Sequence, residues 1–179
     1  MSLRDDLLRV ENFFWAWQKA RASYSFDRTW YDEIELATFE TNLKENLHAL
    51  RDEFASGQYA LRAARPVAFP KRGESSSNHQ PTTRQMFWFS VRDQVAWLAL
   101  VNVIGPLIDR QMPSWSYGDR LYRSVWRLPS ESNPNRGMLK IGPYRHTSRH
   151  IYRPFKHAWP RYRRHVYLDV PPDLSSVSV

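Results

Sequence analysis

Residues 67–73, Val-Ala-Phe-Pro-Lys-Arg-Gly, and residues 84–93, Arg-Gln-Met-Phe-Trp-Phe-Ser-Val-Arg-Asp, decide how this chain folds. Both runs are rich in aromatic and β-branched residues. Between them lies a polar stretch of turn formers, Gly-Glu-Ser-Ser-Ser-Asn-His-Gln-Pro-Thr-Thr. Two such runs around a turn-rich loop predict a β-hairpin. The hairpin brings Lys71 and Arg84 to the loop ends of paired strands, where both cations can face one anion.

Helices are expected on either side. Leu7, Val10, Phe14 and Trp17 recur at helical spacing and predict a helix over 3–24. The aromatic run 13–17 is too apolar for a solvated face and is expected in the core. Leu36, Phe39, Leu43, Leu47, Leu50 and Phe54 form one stripe at spacings of three and four, predicting a second helix over 32–54. Asp32, Glu33 and Glu35 suit its first turn, and Gly57 suits its end. Val91, Val95, Leu98, Val101 and Ile104 predict a strongly apolar third helix. Gly105-Pro106 should stop or kink it, with a short turn over 107–111 beyond. From Leu121 the pattern becomes irregular, and residues 171–179 read as a frayed tail.

Charge is unevenly divided. Residues 1–60 hold 7 Lys/Arg and 11 Asp/Glu, a net of −4, and residues 61–179 hold 19 and 7, a net of +12. The stretch 136–168 carries nine Lys/Arg and no acid, interleaved with Tyr144, Tyr152, Phe155, Trp159, Tyr162 and Tyr167. Cations alternating with stacking rings suit a polyanion, and nucleic acid above all. The candidate nucleic-acid-binding residues there are Arg145, Arg149, Arg153, Lys156, Arg161, Arg163 and Arg164. The plainer readings are a solvated basic surface and an interaction domain whose exposed aromatics meet a partner.

Several chemistries are excluded. The chain has no cysteine, so it has neither a disulfide framework nor a thiolate metal site. His146 and His150 are spaced as a ligand pair but sit among arginines that oppose a metal cation. There is no phosphate-binding Gly-x-x-x-x-Gly-Lys loop and no Gly-x-Ser-x-Gly elbow. The adjacent acid pairs, Asp5-Asp6, Asp32-Glu33 and Asp52-Glu53, fall in solvated helical contexts. The first residues lack the apolar centre of a leader, and no run reads as long enough to span a bilayer. A cytoplasmic protein with no membrane partner is the expectation.

Seven fragments stand in one order: Asn46-Leu-x-x-Leu50, Gly57-Gln-Tyr59, Phe69-Pro-Lys71, Arg84, Arg92-Asp-Gln-Val95, Ile104-Gly-Pro-Leu-Ile-Asp109 and Ser116-Tyr-Gly-Asp-Arg120. This set resembles the opening of a bacterial reverse transcriptase of the group II intron, retron and phage-defence type, over roughly residues 40–122. Residues 123–168 resemble, loosely, an insertion found in some defence-associated members. The resemblance implies an α+β fold: N-terminal helices over 1–57, fingers hairpin and early palm over 58–122, a basic aromatic-rich extension over 123–170, then the 171–179 tail.

It further implies that Lys71 and Arg84 contact an incoming nucleotide triphosphate. Arg120 and the Ser-Tyr-Gly backbone would lie near the RNA template or the RNA/DNA primer–template duplex. Mg²⁺ would serve the complete family enzyme, held by two palm aspartates. This chain carries no Tyr-x-Asp-Asp turn, and Val166-Tyr-Leu-Asp169-Val170 resembles the other aspartate motif only faintly. The chain therefore reads as an N-terminal piece, by truncation, decay or splitting, inactive in isolation. A separate chain would supply the catalytic palm, and uncovered apolar surface would leave the piece marginally stable.

Overall fold

The computed structural model describes residues 2–26, 32–75, 81–113, 115–127 and 139–169. The chain is a mixed α+β protein with two small antiparallel sheets. It divides into two compact units, Met1–Ala99 and Leu100–Val179, and the division falls inside a helix.

The first unit begins with two helices where the periodicity predicts one. Helix α1 (Leu3–Leu7) opens on a Ser2/Asp5 capping box, and α2 (Val10–Phe26) follows after a break. Asn12 explains the break. Its side-chain amide donates to the Leu7 carbonyl at 3.2 Å and to the Ala99 carbonyl at 3.1 Å, so the α1 end is satisfied without a continuous helix. The buried stripe of α2 is Phe13, Ala16, Trp17, Ala20 and Tyr24. Phe14, expected in the core, is exposed instead, while its neighbour Phe13 is fully buried.

The second predicted helix is also two. Helices α3 (Glu33–Thr41) and α4 (Leu43–Ser56) meet at Asn42, which leaves helical geometry at φ −118° and ψ 45°. Asn46 donates to the Phe39 carbonyl at 2.9 Å and satisfies the broken turn. Phe39, Leu47 and Leu50 are buried as the stripe predicts. Gly57 ends α4 in the left-handed region (φ 72°), the conformation that glycine adopts without a Cβ penalty. Phe54 rests on Phe13 of α2, and Tyr59 stacks on Phe54 with centroids 4.5 Å apart.

The hairpin forms where expected. Strand β1 (Arg65–Ser75) pairs antiparallel with β2 (Pro81–Trp88), with Phe69 opposite Arg84 and Pro70 opposite Thr83. The regular register ends after Pro70. A cavity of about 100 Å³ lies beneath it, lined by Tyr24, Val67, Phe69, Met86 and Trp88 among others.

Helix α5 (Val91–Gln111) runs through Gly105-Pro106 without stopping. A proline inside a helix costs about 3 kcal/mol, so packing must offset it. A Cβ on Gly105 would come within 3.1 Å of both Leu121 and Val101, so the glycine admits the buried Leu121 side chain. By length and hydropathy α5 meets the test for a membrane span, which corrects the reading that no run is long enough. Its Asp93, Asn102 and Asp109 are buried and hydrogen-bonded within their own units, as in the core helix of a folded domain.

The second unit is more regular than its sequence suggests. Strand β3 (Arg123–Arg127) pairs antiparallel with β4 (Leu139–Tyr144). Helix α6 (Phe155–Asp169) contains Pro160. That proline and the arginine-rich composition hide it from periodicity. The 166–169 segment is helical, so Asp169 does not follow a strand as the first palm aspartate would. Residues 171–179 lie outside the described residues.

Candidate functional site

Among the described residues, the buried carboxylates are Asp93 and Asp109, and each organises a cluster. Asp93 lies in the first turn of α5. Its Oδ1 accepts from the Tyr59 hydroxyl at 2.8 Å and from Arg92 at 3.3 Å. Its Oδ2 accepts from the Ser90 hydroxyl at 2.7 Å and from the Arg62 backbone amide at 3.3 Å. Ser90 Oγ accepts from the Asp93 amide in return, a side-chain N-cap at the start of α5. Arg92 lies 4.9 Å above the Tyr59 ring and pairs with Glu53 of α4. Burial, then the bond to Asp93, pushes the Tyr59 phenol up, so it remains a donor. Glu35 of α3 accepts from the Val91 amide at 3.1 Å, and burial raises its carboxyl. The fragments Gly57-Gln-Tyr59 and Arg92-Asp93 thus meet in one network that ties α4, the approach to β1 and the start of α5.

The second cluster closes on Asp109. Arg120 Nε donates to Oδ1 at 2.7 Å and Arg120 Nη2 to Oδ2 at 3.3 Å. Arg123 Nη2 donates to Oδ2 at 2.8 Å, and the Leu121 amide to Oδ1 at 3.1 Å. Burial pushes the Asp109 carboxyl up, but the Arg120 bonds, the Leu121 amide and the two cations outweigh it and hold the group below its ordinary range. The sign of the pH dependence follows. A depressed carboxyl contributes stability that is complete above the unfolded value of about 4 and is lost as pH falls through the folded value. Acid titration of the wild type should therefore show loss of the second unit's fold below about pH 4. Tyrosine fluorescence of Asp109→Asn, which cannot titrate there, should lack that step; an unchanged acid midpoint would refute the role.

The candidate cations separate into three groups. Arg84 is exposed on β2, opposite Phe69, and Lys71 lies on β1 one residue past the regular pairing. The Lys71 side chain lies outside the described residues. Arg120 is three-quarters or more buried and committed to Asp109, which makes it a positioning group for the 116–121 turn. Arg145, Arg149, Lys156, Arg163 and Arg164 are exposed, whereas Arg153 and Arg161 are half-buried.

Helix α6 adds rings to this charge. Trp159 and Tyr162 stack with centroids 5.4 Å apart, and both are nearly half exposed. Tyr117, from the Ser-Tyr-Gly turn, meets Tyr162 and His165 edge-on. Arg163 lies over Tyr167, which is 72% exposed. Sequence reading anticipated the alternation of rings and cations; the helix that presents them was not anticipated.

For magnesium, the described residues do not fit. No group of three or more His, Asp or Glu side chains converges among them, and both buried carboxylates are filled by donors. Sequence reading missed Arg123 and the clustering roles of Asp93 and Asp109. The signal was present in the Asp109–Arg120 spacing, but only the fold brings residues 109, 120 and 123 together. Comparison with protein-family models, with curated proteins and with solved structures returns no match.

Proposed function

We propose that this chain is the N-terminal portion of an RNA-directed DNA polymerase, holding fingers and early palm but not the catalytic aspartates. Lys71 and Arg84 bind the nucleotide triphosphate, and the basic second unit binds the RNA template and RNA/DNA duplex. A separate palm-bearing chain completes the enzyme, and Mg²⁺ acts there. What supports this reading is one observation. Four of the seven ordered fragments supply residues of two closed networks, Tyr59, Arg92 and Asp93 in the first unit and Asp109 with Arg120 in the second, and the hairpin carries an exposed arginine on its return strand. A chance match has no reason to concentrate its residues in this way.

A second reading has its own support. The exposed Trp159/Tyr162 stack beside Arg163 and Arg164 suits single-stranded nucleic acid without polymerisation.

Primer extension separates the two. The isolated chain with Mg²⁺ should give no product, and extension should appear when a palm-bearing chain is added. In that assembled enzyme, Lys71→Ala and Arg84→Ala should each remove a charged hydrogen bond of about 1.5–3 kcal/mol, raising the nucleotide KM roughly ten- to hundred-fold. Extension by the isolated chain, or unchanged KM in both variants, would sink the polymerase reading. RNA affinity that falls with salt at a log–log slope of about −0.7 per phosphate contact, with no activity from any palm chain, would favour the second.

A further inference from the structure

The Asp109 cluster holds more positive charge than its carboxylate can neutralise. Both oxygens of Asp109 are already engaged by Arg120, Arg123 and the Leu121 amide. A carboxylate offers about four acceptor positions, and all four are used here. Yet Arg153 also lies within electrostatic range of Asp109, Arg120, Arg123 and Arg161. Arg120, Arg123 and Arg153 therefore share one carboxylate, and Arg161 adds a further cation near Arg153.

Arg153 cannot swing away at its backbone. Its amide donates to the Arg120 carbonyl at 2.8 Å, the Tyr122 amide donates to the Ile151 carbonyl at 2.8 Å, and Leu121 bridges to Tyr152. The chain thus fastens residue 153 beside residues 120–123. The Nε atoms of Arg123 and Arg153 are buried and meet no acceptor among the described residues. Burial, then Arg161 and Arg120, disfavours the charged form of Arg153. Buried guanidinium donors left unpaired, with a single carboxylate shared among three cations, are costly unless a further acceptor is supplied. The Arg123 side chain is still 26% exposed, so the cluster opens to solvent.

We propose that Arg123 and Arg153, set on the Asp109–Arg120 pair, form an oxyanion site for a phosphate group. The planar guanidinium fork matches phosphate oxygens two at a time, and a phosphate offers more acceptors than one carboxylate. The group comes either from a nucleic-acid phosphodiester or from a free polyphosphate. The proposal goes beyond the polymerase reading and does not depend on it, because phosphate binding by this chain needs no palm partner.

The test titrates the full chain with sodium tripolyphosphate and, separately, with a 12-nucleotide single-stranded RNA bearing a 5′-hydroxyl. Sodium chloride at equal ionic strength is the control, and thermal midpoint and calorimetric affinity are read. At least one phosphate ligand should raise the midpoint above the chloride control. Response to tripolyphosphate alone identifies a polyphosphate site; response to RNA, stronger than to tripolyphosphate, identifies a phosphodiester site. Arg153→Gln should keep or raise the midpoint without ligand, since it relieves repulsion, and should weaken the responding ligand at least tenfold. Arg153→Lys, which keeps charge but loses the fork, should weaken it several-fold. Arg51→Gln, an equal charge loss on α4, should leave affinity unchanged. No response of the wild type to either ligand, wild-type affinity in both Arg153 variants, or a lowered ligand-free midpoint in Arg153→Gln each overturns the site.

Discussion

Replacing Asp109 by alanine should destabilise the second unit by about 3 kcal/mol. Asp109 is 3% exposed and is the acceptor for two arginines and one backbone amide. Removing one side of a buried ion pair costs about 3–5 kcal/mol, because the surviving charges stay buried and unpaired. Arg120 and Arg123 are 15% and 26% exposed, so some water reaches them and about 3 kcal/mol is the expected cost. Whole domains are stable by only about 5–15 kcal/mol, and this unit has a small core around Leu121 and Ala158. A urea titration of the full chain, followed by tyrosine fluorescence, reads the effect. The Asp109→Leu/Arg120→Met pair should recover most of the loss, since apolar replacement of a whole buried pair is often neutral. A single variant within about 0.5 kcal/mol of wild type, the range of ordinary surface substitutions, would show that Asp109 does not hold this unit.

Asp93→Ala should damage the first unit and the hairpin together. It strands the Tyr59 hydroxyl, the Ser90 hydroxyl and the Arg62 amide, and frees Arg92 from one of its two carboxylates. Unsatisfied buried groups cost about 1–3 kcal/mol each, while the Ser90 cap on the residue-93 amide is kept. Solvent will reach some of these groups after the change, so about 3 kcal/mol in total is expected. The functional consequence is separate. Residues 58–62 lead directly into β1, so releasing Tyr59 and Arg62 lets the hairpin shift. Nucleotide binding by the assembled enzyme should weaken more in Asp93→Ala than in Tyr59→Phe, which removes a single hydrogen bond. Equal nucleotide KM in Asp93→Ala and wild type would separate the network from the hairpin. Hydrogen exchange at residues 65–70 checks the intermediate step, with faster exchange expected in Asp93→Ala.

Much of the fold is legible without coordinates where local signals agree. The Phe39/Leu47/Leu50 stripe, the Gly57 stop and the apolar period of α5 each encode one element through spacing alone. The hairpin is legible because β-rich runs and turn formers alternate. Where prediction and structure part, a side chain takes a backbone partner that periodicity does not see. Asn12 and Asn46 split two predicted helices by claiming carbonyls that a continuous helix would use. The helix through Gly105-Pro106 errs in the other direction, because the room for Leu121 is a property of packing. Helix α6 carries a proline that weighs against helix locally, and Ala158 is buried nonetheless.

The site divides along the same line. Composition and spacing set which residue types are available: a hairpin bearing Lys71 and Arg84, a second unit crowded with cations and rings, and very few acids to balance them. What those residues face is set by the fold. Arg120 turned inward to Asp109, Trp159 and Tyr162 stayed outward, and Arg123 and Arg153 each kept a buried Nε with no acceptor among the described residues. The physical reason is that charge is a property of a side chain, whereas neutralisation is a property of pairs. Pairs that lie 11, 14 or 44 residues from Asp109 along the chain are made by the fold.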